Sequence, residues 1–192
     1  MSFIERGLIS VIFLGLPALA APSPVPGIKN FYQVDQQVYR GAQPTPEGFS
    51  YLSRLGVKVV LDLRKDDARS VSEQRLVTAA GMRYINVPMT GLTPPTQADT
   101  DRLLTLLEDP AAGPIFVHCK RGADRTGAVI AAYRIDHGKW DNARALEEAM
   151  TDGMSGWQFQ RQEYIRTFHG RAMAVPPIES AVAGTRDSAA AK

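Results

Sequence analysis

The chain of 192 residues is long enough to form one domain with a core of ordinary size. Its formal charge of +2 is too small to imply a nucleic-acid partner, and its single cysteine excludes an intrachain disulfide and a multi-cysteine zinc site. The composition therefore indicates one folded domain whose function depends on a few local groups rather than on bulk charge.

The first twenty residues have the pattern of a secretory signal. A polar start containing Arg6 is followed by an apolar stretch from Gly7 to Leu16 and by Ala18-Leu19-Ala20, which satisfies the small-x-small cleavage pattern. The apolar run is shorter than the ~20 residues that cross a bilayer. We expect cleavage after Ala20 and export, in a bacterium to the periplasm; an inner-membrane anchor formed by residues 7–20 is the alternative.

The remainder of the chain divides into three parts by composition. Residues 21–29 are rich in proline and form a linker, and residues 30–170 carry the periodic apolar patterns of a folded domain. Residues 171–192 lack a periodic apolar face, so we expect a disordered tail.

Apolar periodicity predicts alternating strands and helices in the folded part. In chain order we expect a hairpin of residues 31–34 and 37–40, a helix over 45–55, a strand over 57–63, a helix over 72–80, a strand over 82–87, a helix over 97–107, a strand over 114–117, and helices over 128–137, 142–150 and 157–168. In the last helix we expect four residues to be available for packing: Phe159, Tyr164, Ile165 and Phe168. The fold class is a single α/β domain with a central, mostly parallel sheet of four or five strands and helices on both faces.

A polar stretch, Arg64-Lys65-Asp66-Asp67-Ala68-Arg69, follows the strand over residues 57–63. It could rim an active site or form a solvated turn. With no further signal in the sequence, we favour the solvated turn.

The chemistry concentrates in ten residues, His118-Cys119-Lys120-Arg121-Gly122-Ala123-Asp124-Arg125-Thr126-Gly127. A strand enters this segment and a helix leaves it, so the unpaired N–H groups and the positive dipole end of the helix face the loop. Arg125 adds a planar fork matched to two phosphate oxygens. These groups all favour the thiolate form of Cys119, and a thiolate held under a bound phosphate is an in-line nucleophile.

The string HCKRGADRTG resembles the phosphate-binding loop of the cysteine-dependent protein tyrosine phosphatases, in the form used by the dual-specificity branch. The flanking segments Val38-Tyr39-Arg40-Gly41-Ala42-Gln43-Pro44 and Gly56-Val57-Lys58-Val59-Val60-Leu61-Asp62-Leu63-Arg64 are similar to the bacterial and plant or fungal dual-specificity-like members. The resemblance covers residues 30–168. It implies the fold of a dual-specificity phosphatase and an enzyme that needs no metal or cofactor.

The resemblance also implies roles for the residues of the loop. Cys119 would attack the phosphorus to give a cysteinyl-phosphate, Arg125 would bind the transferring group, and Thr126 would hydrogen-bond the sulfur and ease its departure. The substrate would be held by the rest of the loop: Lys120, Arg121, Gly122, Ala123 and Gly127. His118 is interpreted as a residue that orders the loop. The Lys120-Arg121 pair favours a polyanionic substrate, with a solvated charge pair as the alternative.

The general acid is the point where the sequence departs from the family pattern. Related phosphatases carry an aspartate a few residues after the strand that here ends at Val87, but no acidic residue lies between Pro88 and Ala98. Asp124 is the first candidate, with an outward position and a pairing with Lys120 or Arg121 as its alternative. Asp99 and Asp101 are the second, although helical periodicity places them in the first turn of a helix. Acid assistance from water or from the substrate is the remaining possibility.

The sequence leaves the substrate open among phosphotyrosine, phosphoserine or phosphothreonine proteins, phosphoinositides and inositol phosphates, and we expect a monomer.

Two functions of other classes are alternatives to a phosphatase. A non-catalytic phosphate-binding module would keep Arg125 and the loop without a working acid. A sulfurtransferase or an arsenate reductase could also use a cysteine in an anion loop, but Arg125-Thr126 and the lack of a second cysteine argue against both.

Overall fold

The computed structural model describes residues 25–90 and 92–171. The predicted signal sequence, the first part of the proline-rich linker and nearly all of the predicted tail lie outside the described residues. Within the described ranges, none of the helices combines the length and the apolar character needed to span a membrane.

The domain is built on a five-stranded sheet with the spatial order β1-β2-β5-β3-β4. Its strands are β1 (Tyr32–Gln33), β2 (Val38–Ala42), β3 (Val59–Asp62), β4 (Arg83–Asn86) and β5 (Ile115–Cys119). The short edge strand β1 is antiparallel to β2, and all other neighbours are parallel. The predicted fold class, a mostly parallel sheet in a single α/β domain, is confirmed.

Six helices cover the two faces of this sheet: α1 (Pro46–Leu55), α2 (Ala68–Ala79), α3 (Gln97–Glu108), α4 (Asp124–Asp136), α5 (Asn142–Thr151) and α6 (Phe159–Thr167). Side chains of a strand alternate between faces, so β5 sends Phe116 towards α1 and α2, and Ile115 and Val117 towards α3 and α4. Helices α5 and α6 form an outer layer on α4 through small residues such as Ala128 and Ala145.

Strand β5 lies at the centre of the sheet, and all five of its residues are buried. Its parallel partners end at the same level, because Ala42 of β2 and Asp62 of β3 pair with Cys119 and His118. The carboxyl ends of β2, β3 and β5 therefore meet where the chain leaves the sheet into the cysteine-containing loop. Ligands of open α/β sheets bind at this edge.

Two helices begin earlier than predicted. Helix α4 begins at Asp124 rather than at Ala128, and α2 begins at Ala68 rather than at Ser72. In both cases the first turn is polar, so apolar periodicity does not mark it. The start of α2 is set by a capping box, in which Asp67 accepts from the Arg69 N–H and the Ser70 hydroxyl accepts from the Asp67 N–H.

The expectation that Phe159 packs into the core is wrong. Its side chain is 66% exposed, whereas Ile165 and Phe168 are buried as predicted. The inward face of the first turn of α6 is taken instead by Arg161 and Gln162, which are both buried. Tyr164 packs against the core as a partly buried residue.

Candidate active site

The loop after β5 turns tightly at Gly122. This residue has a φ of +70°, and a Cβ built on it would lie 2.3 Å from the carbonyl carbon of Gly41. Both the left-handed backbone and the close approach of β2 require glycine here. The turn brings the chain back over Cys119, which is 2% exposed at the end of β5.

The N-terminus of α4 closes the other side of the loop. Ala123 occupies the N-cap position, and no side chain in the described part of the chain caps this helix end. The first N–H groups of α4 are therefore available to an anion, and the helix dipole adds positive potential at the same point. This is the arrangement that the sequence predicted for the loop.

Arg125 is held across the mouth of the loop by two main-chain carbonyls. Its Nη1 donates to the carbonyl oxygen of Leu63 at 3.3 Å and to that of Met89 at 3.4 Å. Leu63 follows β3 and Met89 follows β4, so the guanidinium is tied to the ends of two neighbouring strands. The fork is thereby oriented before any substrate binds.

Cys119 has the electrostatics of a nucleophile. Burial raises the pKa of the thiol, but the Thr126 hydroxyl, the main-chain N–H groups of Thr126 and Arg121, and the charge of Arg125 together bring that pKa below its ordinary value. Thr126 is fully buried, and its hydroxyl has no other partner among the described residues. The Thr126 hydroxyl is therefore placed to hydrogen-bond the Cys119 sulfur, as the resemblance implies.

A buried network of charged side chains lies beneath the loop. His118 stacks on Phe116 with ring centroids 5.6 Å apart, and its Nε2 lies 2.8 Å from Oε1 of Glu73. The Nη2 of Arg64 donates to Oδ2 of Asp62 at 2.6 Å and to Oε2 of Glu73 at 2.7 Å. His118 is thus anchored from α2, which supports its interpretation as a loop-ordering residue.

Asp62, Glu73 and His118 also place three ligand atoms within 4.8 Å of one another. Arg64 bonds both carboxylates, with its Nε also donating to Asp62 at 2.9 Å and 3.0 Å. The cation that neutralises this cluster is therefore a guanidinium. A metal ion would have to displace Arg64 to use either oxygen of Asp62 or the Oε2 of Glu73.

A cavity of about 290 Å³ opens above the loop. Its lining includes Arg125, Lys120 and, from the polar stretch after β3, Arg64, Lys65, Asp67 and Arg69. Lys65 and Asp66 are exposed, as the favoured solvated turn predicts, and the stretch also rims the site. The two interpretations of this stretch are therefore compatible.

Lys120 and Arg121 have different positions. Lys120 lines the cavity, whereas Arg121 bonds the Asp124 Oδ2 on the outer side of the loop. The second oxygen of Asp124 accepts the Ser155 N–H at 2.8 Å. Both carboxylate oxygens of the predicted acid are thus engaged, in the outward arrangement that the sequence offered as its alternative.

Asp99 and Asp101 lie in α3, as helical periodicity predicted. The Asp99 carboxylate accepts from the Thr96 hydroxyl at 2.7 Å, and the buried Asp101 accepts from the Gln97 amide at 2.8 Å. Both carboxylates are engaged at the start of that helix. These contacts give them structural partners rather than a path to the cysteine.

Sequence reasoning missed three residues that shape the site: Asp62, Arg64 and Glu73. The role of Asp62 could have been predicted from the sequence, because an acidic residue near the end of an otherwise apolar strand requires a partner. Glu73 looked like any other polar residue of a surface helix. Its burial depends on the docking of α2 against β3 and β5.

The strand order, the phosphate-type loop and the cysteine with a lowered pKa have the form of the dual-specificity branch of the cysteine-dependent phosphatases. The chain belongs to the family described as DSP-PTPase phosphatase fused to NAD+ kinase, whose model matches residues 27–167. The resemblance stated from the sequence is confirmed.

Two curated relatives represent two kinds of phosphatase. Dual specificity protein phosphatase TpbA of Pseudomonas aeruginosa is 35% identical over 128 residues, which cover 65% of this chain and 55% of TpbA. The chain therefore spans about half the length of TpbA. Inositol diphosphatase DSP3 of Arabidopsis thaliana is 29% identical over 154 residues, covering 78% of this chain and 72% of DSP3.

Solved structures similar to this chain belong to the same two kinds of phosphatase. The crystal structure of P. aeruginosa TpbA has a TM-score of 0.64 at 32% identity and covers 77% of this chain and 89% of that one. The core catalytic domain of the PP-IP phosphatase SIW14 from S. cerevisiae, in complex with citrate, has a TM-score of 0.65 at 25% identity with the same coverage. These relatives support phosphatase activity for the family's fold.

The buried charges beneath the loop predict how stability depends on pH. Burial alone would raise the pKa of Asp62, but hydrogen bonds from Arg64 and attraction to His118 outweigh it and hold that pKa below its ordinary value. A lowered folded-state pKa stabilises the fold above the unfolded value of ~3.9, and this contribution is lost as the pH falls through the folded pKa. We expect Asp62→Asn to cost about 3 kcal/mol at pH 7 and less at pH 3, which lies below the unfolded pKa of ~3.9.

Urea unfolding at the two pH values measures this difference. The exposed Glu147 of α5 provides the control, since Glu147→Gln removes a carboxylate without touching the network. An equal loss for Asp62→Asn at pH 7 and pH 3 would contradict the assignment.

Proposed function

We propose that this protein hydrolyses phosphate monoesters through a cysteinyl-phosphate intermediate on Cys119. The observation that carries the proposal is the meeting of three groups at one point: a buried thiol with a lowered pKa, the uncapped N-terminus of α4 and the fixed guanidinium of Arg125. A thiolate, amide donors and a planar cation are the groups that an in-line displacement at phosphorus requires.

In the first step the Cys119 sulfur forms a bond to phosphorus while the bond from phosphorus to the ester oxygen breaks. The loop N–H groups and Arg125 bind the equatorial oxygens as charge redistributes over them. The leaving oxygen takes a proton and departs as an alcohol or phenol. In the second step water attacks the phosphorus, the phosphorus–sulfur bond breaks, and Thr126 stabilises the departing thiolate.

The donor of that proton stays a prediction. Asp124 lies at the start of α4, but donation requires it to exchange one of its bonds, to Arg121 or to the Ser155 N–H, for the leaving oxygen. The Arg121 bond is the easier one to exchange, because the Arg121 side chain is 59% exposed. Water supplies the proton if neither bond opens.

The cavity rim supports a polyanionic substrate. Lys65 and Lys120 line the cavity together with Arg125, and Arg69 adds a charge that is partly neutralised by Asp67. One phosphate in the loop leaves the two lysines for further negative groups. We therefore favour an inositol phosphate or a phosphoinositide headgroup over a singly phosphorylated side chain, consistent with relatives named as inositol diphosphatases. Phosphoproteins are the second class, since TpbA is named a dual specificity protein phosphatase.

We also propose that the enzyme works outside the cytoplasm of a bacterium. The support is the apolar stretch Gly7 to Leu16 followed by Ala18-Leu19-Ala20. The folded domain would then meet its substrate in the periplasm, either as a released protein or on an inner-membrane anchor.

The covalent mechanism predicts that Cys119→Ser lowers phosphate release by roughly 10⁴-fold or more, because an alcohol replaces the thiolate. Arg125→Lys keeps the charge but loses the fork, and should lower the rate by roughly 10²-fold. Phosphate release from inositol hexakisphosphate and from a phosphotyrosine peptide measures both effects, and we expect the first substrate to react faster in the wild type.

Two results would overturn this proposal. Near-normal turnover by Cys119→Ser would remove the covalent step. Phosphate binding by the wild type without turnover of any ester would favour the non-catalytic phosphate-binding module.

The acid hypothesis predicts a dependence on the leaving group. An alkyl phosphate needs a proton on its leaving oxygen, whereas an activated aryl phosphate hardly does. If Asp124 is the donor, Asp124→Asn should slow the alkyl ester by roughly 10²-fold and spare the aryl ester. Asp99→Asn and Asp101→Asn are the matched controls, and a leaving-group effect in either of them but not in Asp124→Asn would move the acid to α3.

Export predicts that the mature protein starts near Ala21. Intact-mass measurement on protein from a periplasmic extract tests this directly. Recovery of the full chain from the membrane fraction would favour the anchor, and recovery of the full chain from the cytoplasm would reject export.

A further inference from the structure

A buried arginine lies directly behind the phosphate loop. Arg40 of β2 is 1% exposed, and its Nη2 donates to the carbonyl oxygen of Gly122 at 2.7 Å. Its Nη1 donates to Oδ2 of Asp152, the C-cap residue of α5, at 2.6 Å. One guanidinium thus connects the central sheet, the loop and the outer helix layer.

A second donor reaches the same carbonyl. The Asn30 Nδ2 lies 3.1 Å from the Gly122 oxygen and 3.0 Å from the main-chain oxygen of Asp152. Asn30 has a φ of +52°, a conformation that asparagine tolerates better than most residues. Together, Asn30, Arg40 and Asp152 form a clamp on the outer side of the loop.

The clamp determines which way the loop peptide faces. A trans peptide is planar, so its carbonyl and the next N–H point in opposite directions. Holding the Gly122 carbonyl outward therefore turns the Ala123 N–H inward, towards the anion position. Glycine alone would not hold this orientation, because it has no Cβ to restrict rotation of the peptide. A flipped peptide would instead present a carbonyl oxygen to the phosphate and repel it.

The clamp also places charge near the nucleophile. Burial lowers the pKa of Arg40, while attraction to Asp152 and Glu148 of α5, to Cys119 of β5 and to Tyr32 of β1 opposes the effect of burial. Because attraction between two charges is mutual, Arg40 favours the thiolate of Cys119 from the side opposite the substrate. Arg125 of α4 and Arg161 of α6 also interact electrostatically with Cys119.

We propose that Arg40 is a positioning residue for the phosphatase reaction, which keeps the Gly122 peptide turned outward and adds a fixed positive charge behind Cys119. This rests on the proposed function for its kinetic consequence. The effect on the thiol does not depend on turnover. Asp152 and Asn30 act through the same contacts, Asp152 by orienting Arg40 and Asn30 by sharing the carbonyl.

The test uses the full chain with Arg40→Lys and Arg40→Met. Lysine keeps the charge but loses the planar fork whose two nitrogens bond Gly122 and Asp152 separately, and methionine removes both the charge and the fork. We expect kcat/KM to fall by about 10²-fold for Arg40→Met and by less for Arg40→Lys, with weaker inhibition by inorganic phosphate in both. We also expect the pH midpoint for alkylation of Cys119, the only cysteine of the chain, to rise for Arg40→Met by more than for Arg40→Lys.

Arg171→Met is the control. Arg171 bonds two carboxylates, Glu108 at 2.6 Å and Asp136 at 2.8 Å, and Asp136 is the last residue of α4, at the opposite end of that helix from the loop. A residue with only a structural role would lower the melting temperature without moving the alkylation midpoint. We expect that pattern for Arg171→Met and not for the Arg40 variants.

Asn30→Gly tests the same clamp if the Arg40 variants fail to fold. It removes the side-chain amide without leaving a buried charge unpaired, and glycine adopts the positive φ at this position. We expect it to weaken phosphate inhibition by about tenfold at an unchanged melting temperature. An unchanged alkylation midpoint in Arg40→Met together with unchanged phosphate inhibition in Asn30→Gly would overturn the proposal. If the wild type releases no phosphate, the proposed function fails, and the alkylation and phosphate-binding results still decide the role of Arg40.

Discussion

The site depends on a helix end that the protein leaves without a cap. No side chain caps the start of α4, and the Thr126 N–H in its first turn bonds the Cys119 sulfur. The dipole of the helix adds positive potential at the same point. Unsatisfied donors at a buried position cost free energy, so the remaining N–H groups favour a bound acceptor. Under the proposed function, phosphate supplies that acceptor. The same potential favours the thiolate of Cys119, so the proposed nucleophile and the binding site depend on one feature.

The rest of the site consists of charges that hold this feature in place. Arg125 faces the substrate position, Arg64 lines the cavity while bonded to Asp62, and Arg40 lies behind the loop bonded to Asp152. Buried ion pairs contribute little net stability, because desolvation of the two charges offsets their attraction. Their value here lies in geometry: each arginine bonds a carboxylate from a neighbouring element and thereby fixes the position of the loop or of the strand that leads into it.

The part of the site that could be predicted from the sequence is the part that is local in the chain. Cys119, Arg125 and Thr126 lie within eight residues, so their register alone indicates a phosphate loop. Strands and helices with clear apolar periodicity were likewise predicted with the correct order. The errors fall where contacts with distant elements bury a polar residue. Arg64 is buried by its contacts with Asp62 and Glu73, and the inward face of α6 carries Arg161 instead of Phe159.

The clamp behind the loop has a consequence for how the enzyme matures. Its hydrogen bonds join residues that are far apart in the chain, with Arg40 and Asp152 separated by 112 positions and Asn30 and Asp152 by 122. Contacts of such long range form late in folding, after local helices and hairpins. The loop sequence is complete once Gly127 has left the ribosome, but the carbonyl of Gly122 is held in place only after α5 has docked. Under the proposed function, competence for phosphate binding is therefore acquired with the final assembly of the domain, and a chain still being synthesised carries Cys119 in an unformed site.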